Sequence, residues 1–162
     1  MSVLPRILAE LEEKKVVFEH LTHDFVHRSK EAACIRGNTL SQAAKAIVLK
    51  VKDKDSYYFT QAVLQGTRKI HMKTLKKHLG AKNISLASPE EVKEITGCTI
   101  GSVPPFGHLF GLEVIADKSL LEEPKVVFSA GTHHDSVRIA SADLFDVLNP
   151  TVLSFTVLND SS

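Results

Sequence analysis

Lys45-Ala46-Ile47-Val48-Leu49-Lys50-Val51-Lys52, then Asp53-Lys54-Asp55-Ser56, then Tyr57-Tyr58-Phe59-Thr60-Gln61-Ala62-Val63, is the stretch whose reading decides the fold. Two runs rich in β-formers flank a turn-like tetrapeptide, which is the pattern of a β-hairpin. Side chains alternate faces along a strand, so Lys45 shares parity with Ile47, Leu49 and Val51 and is expected to point inward. Lys50, Lys52 and Lys54 have the other parity and read as solvated. Towards the N-terminus, Leu4, Ile7, Leu8 and Leu11 form the stripe of a short amphipathic helix, and Val16-Val17-Phe18 begins a strand. Ser29 before Glu31-Ala32-Ala33-Cys34-Ile35 predicts a capped helix stopped by Gly37-Asn38, and Leu40 to Ala44 a second short one. Downstream, helices are expected from Met72 to Leu79, closed by Gly80, and from Ser88-Pro89-Glu90-Glu91 to Thr96-Gly97. Leu109 to Ala116, Val126 to Ser129 and Val137 to Ala140 read as strands, and Ala142 to Leu148 as a helix. This order has no regular βαβ rhythm, and it predicts an α+β domain with a mixed, curved sheet rather than a doubly wound parallel one.

The chain has 162 residues, 43% of them apolar and 24% charged, with no linker, repeat or low-complexity stretch. A single domain spanning residues 1–162 is expected; a chain of this size buries roughly 70% of its unfolded surface and needs neither disulfides nor a structural metal. The two cysteines, Cys34 and Cys98, fit a reduced compartment. No apolar run approaches the ~20 residues of a membrane span, and Met1 to Glu10 lacks a signal-like pattern, so a cytoplasmic location without a membrane partner is expected. Twenty Lys and Arg against 19 Asp and Glu leave a net charge of +1. That balance excludes a general nucleic-acid coat and makes any nucleic-acid contact local.

Lys45, at the mouth of a strand on its apolar face, is placed to hold a phosphate or carboxylate as a point charge; a snorkelling lysine is the structural alternative. In Gly101-Ser102-Val103-Pro104-Pro105-Phe106-Gly107 the glycines permit close approach to a ligand, and the prolines stiffen the loop and remove two donors. The amides of Ser102, Val103, Phe106 and Gly107 are then expected to be free for a carbonyl oxygen that becomes negative in a transition state. A plain helix-to-strand turn is the competing account. Gly131-Thr132-His133-His134-Asp135-Ser136 lies between two strands and holds acid, base and hydrogen-bonding groups, as many hairpin connections do. His20, His23 and His27 invite a metal reading, but no cysteine or acidic triad completes a zinc pattern, and no metal is expected. Neither a P-loop nor a G-x-S-x-G elbow occurs. Cys98 ends a helix pattern and reads as buried rather than nucleophilic. Lys69, Lys73, Lys76 and Lys77, with Arg68 adjacent and Lys82 beyond, fall at the spacing of one helix face, either a solvated surface or a local patch for an RNA backbone.

Three segments taken in order, Leu40-Ser41-Gln42-Ala43-Ala44-Lys45-Ala46-Ile47-Val48-Leu49-Lys50, Gly101 to Gly107, and Phe128-Ser129-Ala130-Gly131, resemble the YbaK family, which includes the editing insertion domain of prolyl-tRNA synthetase. The similarity runs from about Leu11 to Phe155. The resemblance implies a barrel-like mixed α+β sheet surrounded by helices and a free-standing trans-editing deacylase that hydrolyses the ester of a mischarged tRNA. Lys45 matches the family lysine that holds the phosphate near the tRNA 3′ end. Gly101 and Pro105 match the family G-x-x-x-P loop, with Ser102 and Val103 between them, whose backbone shapes the amino-acid pocket and polarises the carbonyl. Pro104, Phe106, Gly107 and Gly131 are expected to complete the substrate pocket, and His133, His134, Asp135 and Ser136, which lie where family subgroups differ, are assigned to substrate binding beside them. An aminoacyl ester is already activated, so a positioned water, a ribose hydroxyl and backbone amides suffice, without cofactor, metal or protein nucleophile. Mischarged aminoacyl-tRNA is the implied partner, with an aminoacyl-tRNA synthetase as a second. Ile35-Arg36-Gly37, Ser85-Leu86-Ala87-Ser88-Pro89, Thr96-Gly97-Cys98 and Gly101 are most similar to subgroups that clear Ser or Thr; Ala or Cys on proline tRNA stays open. Two other classes stand beside this one: a noncatalytic module binding tRNA or a synthetase, and a small-ester hydrolase. Only a tRNA enzyme should lose activity as salt screens phosphate contacts.

Overall fold

The structure, a computed structural model, describes residues 2–24 and 37–159, and the helix expected after Ser29 lies outside the described residues. The central hairpin is present: β2 (Ala44–Lys52) pairs antiparallel with β3 (Tyr57–Gln65), Lys45 opposite Leu64 and Val48 opposite Gln61. β5 (Asn83–Leu86) adds antiparallel to β2, while β6 (Glu113–Asp117) joins β3 and β9 (Thr151–Leu153) joins β6 in parallel. These five strands form one mixed sheet in the order β5-β2-β3-β6-β9. β1 (Phe18–Thr22), β8 (Asp135–Ala140) and β7 (Lys125–Ser129) form an antiparallel sheet, and β4 (Arg68–Ile70) pairs with β10 (Thr156–Leu158). Among the described residues the strands therefore divide among three sheets that are not closed, which corrects the expectation of one curved, barrel-like sheet; there only the isolated bridge Ala43–Val127 joins the start of β2 to β7.

Both faces of the five-stranded sheet are covered, and the alternation of β2 decides which residues go where. Ala44 and Val48 face the main core with Val63 and Val114, joined by Ile7 and Leu11 of α1 (Val3–Glu13), Phe128, Val137 and Leu144 of α4 (Ser141–Leu148). Leu49 and Val51 face a second cluster with Ala62, Ile115 and Phe155, closed by Leu75 of α2 (Met72–Leu79). Lys45 shares the face of Leu49 and Val51 by the same alternation. At about 25 cal/mol per Å² of apolar surface, these two clusters supply the main driving force of folding.

Local chemistry accounts for the helix ends. α3 (Pro89–Thr96) starts with a capping box between Ser88 and Glu91, has proline in its first turn, and stops at left-handed Gly97. α2 starts one residue after His71, whose Nδ1 accepts the Thr74 amide, and ends at left-handed Gly80. Lys69 consequently lies in β4, and the single helix face expected for Lys69, Lys73, Lys76 and Lys77 is corrected to a strand followed by a helix. The strand expected from Leu109 begins only at Glu113, because a 3₁₀ turn over Gly107–Phe110 and left-handed Gly111 precede it. The short helix expected at Leu40 to Ala44 is a 3₁₀ turn over Leu40–Gln42. Among the described residues no helix is long and apolar enough to cross a membrane.

Candidate functional site

Lys45 opens β2 half-buried, and desolvation lowers its ammonium pKa below the ordinary 10.5. Among the described residues its ammonium has no hydrogen bond or ion pair. A desolvated, unpaired ammonium is costly, and a bound anion would relieve that cost. Lys50, read as solvated, instead donates to Glu91 Oε2 at 3.0 Å and lies 4.4 Å from the centroid of the Tyr57 ring. The fold of α3 onto the sheet brings that carboxylate within reach, a contact that strand parity does not reveal.

The segment Ser102 to Gly107 is buried throughout, with Gly101 exposed at its entrance. Its backbone is spoken for at several points. Gln61 Nε2 donates to the Pro104 carbonyl and Gly107 N–H donates to Gln61 Oε1, both at 2.9 Å. The Ser102 amide donates to the Thr99 carbonyl at 3.0 Å, and the Ser102 hydroxyl donates to the same oxygen at 2.8 Å. Of the four amides expected to be free, those of Ser102 and Gly107 are thus occupied, Ser102 by a local turn and Gly107 by a side chain 46 residues away. The amides of Val103 and Phe106 have no partner among the described residues, although both residues are buried. Buried donors without partners are rare in folded chains and mark a place where a ligand oxygen completes the bonding. The Phe106 ring itself belongs to the main core, 5.5 Å from the Phe128 ring, so only its backbone faces the question of substrate. Behind the loop, His108 bonds Glu10 at 2.8 Å and Arg6 donates to the Leu109 carbonyl at 3.1 Å, fastening the next turn to α1.

The third segment meets the second directly. Gly131 N–H donates to the Ser102 carbonyl at 3.0 Å, and His133 Nε2 lies 2.9 Å from Thr99 Oγ1. Gly101, at φ +93°, approaches so closely that an added Cβ would lie 3.3 Å from His133 Cε1. Asp135 accepts from Thr132 Oγ1 at 2.7 Å and pairs with His20 at 2.8 Å. Burial opposes ionisation of Asp135, but the Thr132 and His20 hydrogen bonds and the charge of His20 and His23 hold its carboxyl below the ordinary value. Ser136 is buried with its hydroxyl 2.9 Å from His23 Nε2, and His134 Nδ1 is 3.2 Å from the His23 carbonyl. His20 and His23 are therefore engaged across the β1–β8 pair; His27 lies outside the described residues. Cys98 is buried and desolvation raises its thiol pKa, as expected of a structural cysteine.

The structure thus brings Gly101, Ser102, Val103, Gly131 and His133 together against the main core, whereas Lys45 has the parity of the other sheet face and only the Ala43–Val127 bridge links the start of its strand to the strand that leads to Gly131. Arg68 is tied into the fold by Gln65 Oε1 and Thr156 Oγ1, whereas Lys69, Lys73, Lys76 and Lys77 are exposed. Gln61 and Thr99 were not legible as site residues. A glutamine inside a strand pattern carries a detectable signal only in its parity with Val63, which points it into the core.

The aminoacyl-tRNA editing domain family matches residues 23–147. The chain belongs to this family. It is 35% identical over 151 residues, 93% of this chain and 90% of the relative, to the multifunctional Ser/Thr-tRNA deacylase ProXp-y of Escherichia coli. It is 25% identical over 162 residues, 98% of each chain, to the prolyl-tRNA editing protein ProX of Acetoanaerobium sticklandii. Among solved structures, a candidate trans-editing enzyme for prolyl tRNA synthetase superposes on this editing domain with a TM-score of 0.79 at 26% identity, covering 96% of this chain and 97% of the other. A crystallised hypothetical protein shares the fold at a TM-score of 0.83 and 20% identity, over 94% of this chain and 99% of its own.

Proposed function

We propose that this editing domain is a trans-acting aminoacyl-tRNA deacylase that removes Ser or Thr from mischarged tRNA. Water adds to the ester carbonyl, the ribose oxygen of the terminal adenosine leaves with a proton, and the products are the free amino acid and uncharged tRNA. The reaction class rests on family membership, and the preference for Ser or Thr rests on the 35% identity to ProXp-y over 93% of the chain.

Within the structure, the observation that carries the mechanism is that the amides of Val103 and Phe106, both buried residues, have no partner among the described residues. Donors fixed before the reaction and aimed where charge develops stabilise an oxyanion without reorganisation, and one such donor is worth about 10²–10³ in rate. Gln61 holds the loop at Pro104 and Gly107, so the two amides keep their places. Lys45 supplies the positive charge for a 3′-end phosphate, Gly101 lets the loop approach His133 closely, and Gly131 lets the end of β7 pack against Val3 of α1. A synthetase that generates the mischarged tRNA, and the cytoplasm in which it works, complete the reading.

The test is hydrolysis of tRNAs carrying Ser, Thr, Ala, Cys or Pro on cognate and noncognate tRNAs. Selective clearance of Ser or Thr is expected. Clearance of Ala or Cys from proline tRNA alone would replace the specificity, and tRNA binding without any turnover would replace the deacylase by a binding module.

A further inference from the structure

No Asp or Glu occurs between Ser56 and Pro89, a segment that holds Arg68, Lys69, Lys73, Lys76, Lys77 and Lys82. The other fourteen Lys and Arg face all nineteen acids, so a nearly neutral chain consists of one basic segment and a remainder of net charge −5. The structure concentrates that charge. Lys69 on β4, Lys73, Lys76 and Lys77 on α2, and Lys82 just after it are all exposed, and among the described residues none has a carboxylate partner.

Helix stability does not explain the arrangement. Lys76 and Lys77 in the last turn of α2 suit the helix dipole, but Lys73 sits in the first turn, which contains no acid and where a cation is unfavourable. Lys73 and Lys77 are also four residues apart, a like-charge spacing that destabilises a helix. Position supplies the second observation. α2 buries Leu75 against Leu49 and Val51 of β2, on the face of the sheet that Lys45 shares. From Leu49 and Val51 back to Lys45 is four to six residues of strand, about 13–20 Å at ~3.3 Å per residue.

We propose that β4 and α2 form a docking surface for the sugar–phosphate backbone of the tRNA substrate, laid on the same sheet face as Lys45 so that the 3′ end runs from the lysine patch towards it. This rests on the deacylase reading. Contacts of this kind read charge rather than sequence, so the surface serves more than one tRNA and leaves selection to the amino-acid pocket.

The experiment compares wild type with the triple variants Lys73→Glu/Lys76→Glu/Lys77→Glu and Lys73→Gln/Lys76→Gln/Lys77→Gln, each checked for fold by circular dichroism and melting. KM and kcat are measured on seryl-tRNA and on a seryl ester of the CCA trinucleotide, across about 50–200 mM salt. KM on the whole tRNA is expected to rise at least about tenfold with kcat nearly unchanged, and the salt slope to fall by about 2–3, near one per lost phosphate contact. The trinucleotide ester should be hydrolysed as by wild type. Unchanged KM on whole tRNA overturns the proposal and leaves the patch to an acidic protein partner; equal damage on the trinucleotide overturns it in favour of a pocket effect. Should wild type hydrolyse neither substrate, the deacylase reading fails, and binding of uncharged tRNA decides the surface alone: equal affinity of wild type and triple variant rejects it.

Discussion

The Gly107 amide donates to the side-chain oxygen of Gln61 at 2.9 Å, and the same side chain donates back to the Pro104 carbonyl three residues earlier. One strand residue thereby fixes both ends of the loop segment between which the Phe106 amide has no partner among the described residues. Burial makes the clamp strong: Gln61 is fully excluded from solvent, and among the described residues neither loop group has a substitute partner.

Gln61→Leu removes both bonds while conserving most of the volume. Two buried groups lose their partners, at about 1–2 kcal/mol each, towards the lower part of the usual range, so a loss of about 2–4 kcal/mol is expected. For a domain of this size that lowers Tm by roughly 5–12 °C. Denaturant unfolding checks the stability, and kcat should fall with it in the fraction that stays folded. A variant with unchanged stability would contradict the clamp.

Gly101→Ala places a Cβ 3.3 Å from His133 Cε1 at a φ of +93°, which an L side chain adopts only with strain. Displacement of the loop by about 1 Å is expected to cost about 10²-fold in kcat/KM. Gly80→Ala is the control: its φ of +62° carries similar strain, but nothing lies within 4 Å of the added Cβ and it is remote from the loop. Steady-state hydrolysis of a seryl ester of the CCA trinucleotide, which does not reach α2, should separate the two, with Gly80→Ala active.

Lys45→Met should stabilise the fold while removing activity. The wild-type ammonium is desolvated and has no partner among the described residues, so its folded pKa lies below the ordinary 10.5 and the charged form opposes folding. The penalty is fully present below the folded pKa, shrinks as pH rises through it, and vanishes near 10.5. Melting of both proteins from neutral to alkaline pH should show the variant's advantage at neutral pH and its loss towards pH 10.5. A variant less stable at neutral pH would mean that the lysine is held by a partner.

Asp135 behaves oppositely. Its carboxyl lies below the ordinary 3.8, so its contribution is full above that pH and is lost as pH falls through the lowered folded value. Urea unfolding of wild type and Asp135→Asn between about pH 2 and 6 should show a stability gap that closes in acid. A gap that persists at the lowest pH would place the effect in packing rather than charge.

The hairpin was legible because β2 and β3 combine β-branched residues with a polar turn, and the ends of α2 and α3 because Gly80, Ser88 and Gly97 are strong local signals. β4, β9 and β10 were not, since three residues are too few for a period to show. Gly101 to Gly107 stood out by its glycines and prolines, but which of its amides are free depends on Gln61 and Thr99, and such long-range partners leave no trace in spacing. The i, i+4 spacing of the lysines continues back through His71 to Lys69, but the N-cap at His71 starts the helix after it. Lys50 looked solvated for the same reason, with Glu91 invisible until α3 folds over the sheet.

The most direct test of the deacylase mechanism is single-turnover hydrolysis of seryl- and threonyl-tRNA by wild type and by folded Lys45→Ala under identical salt. The account predicts rapid clearance by wild type and a loss of at least about 10²-fold in the variant, the scale expected when a positioning charge is removed. Clearance by Lys45→Ala at the wild-type rate would contradict it.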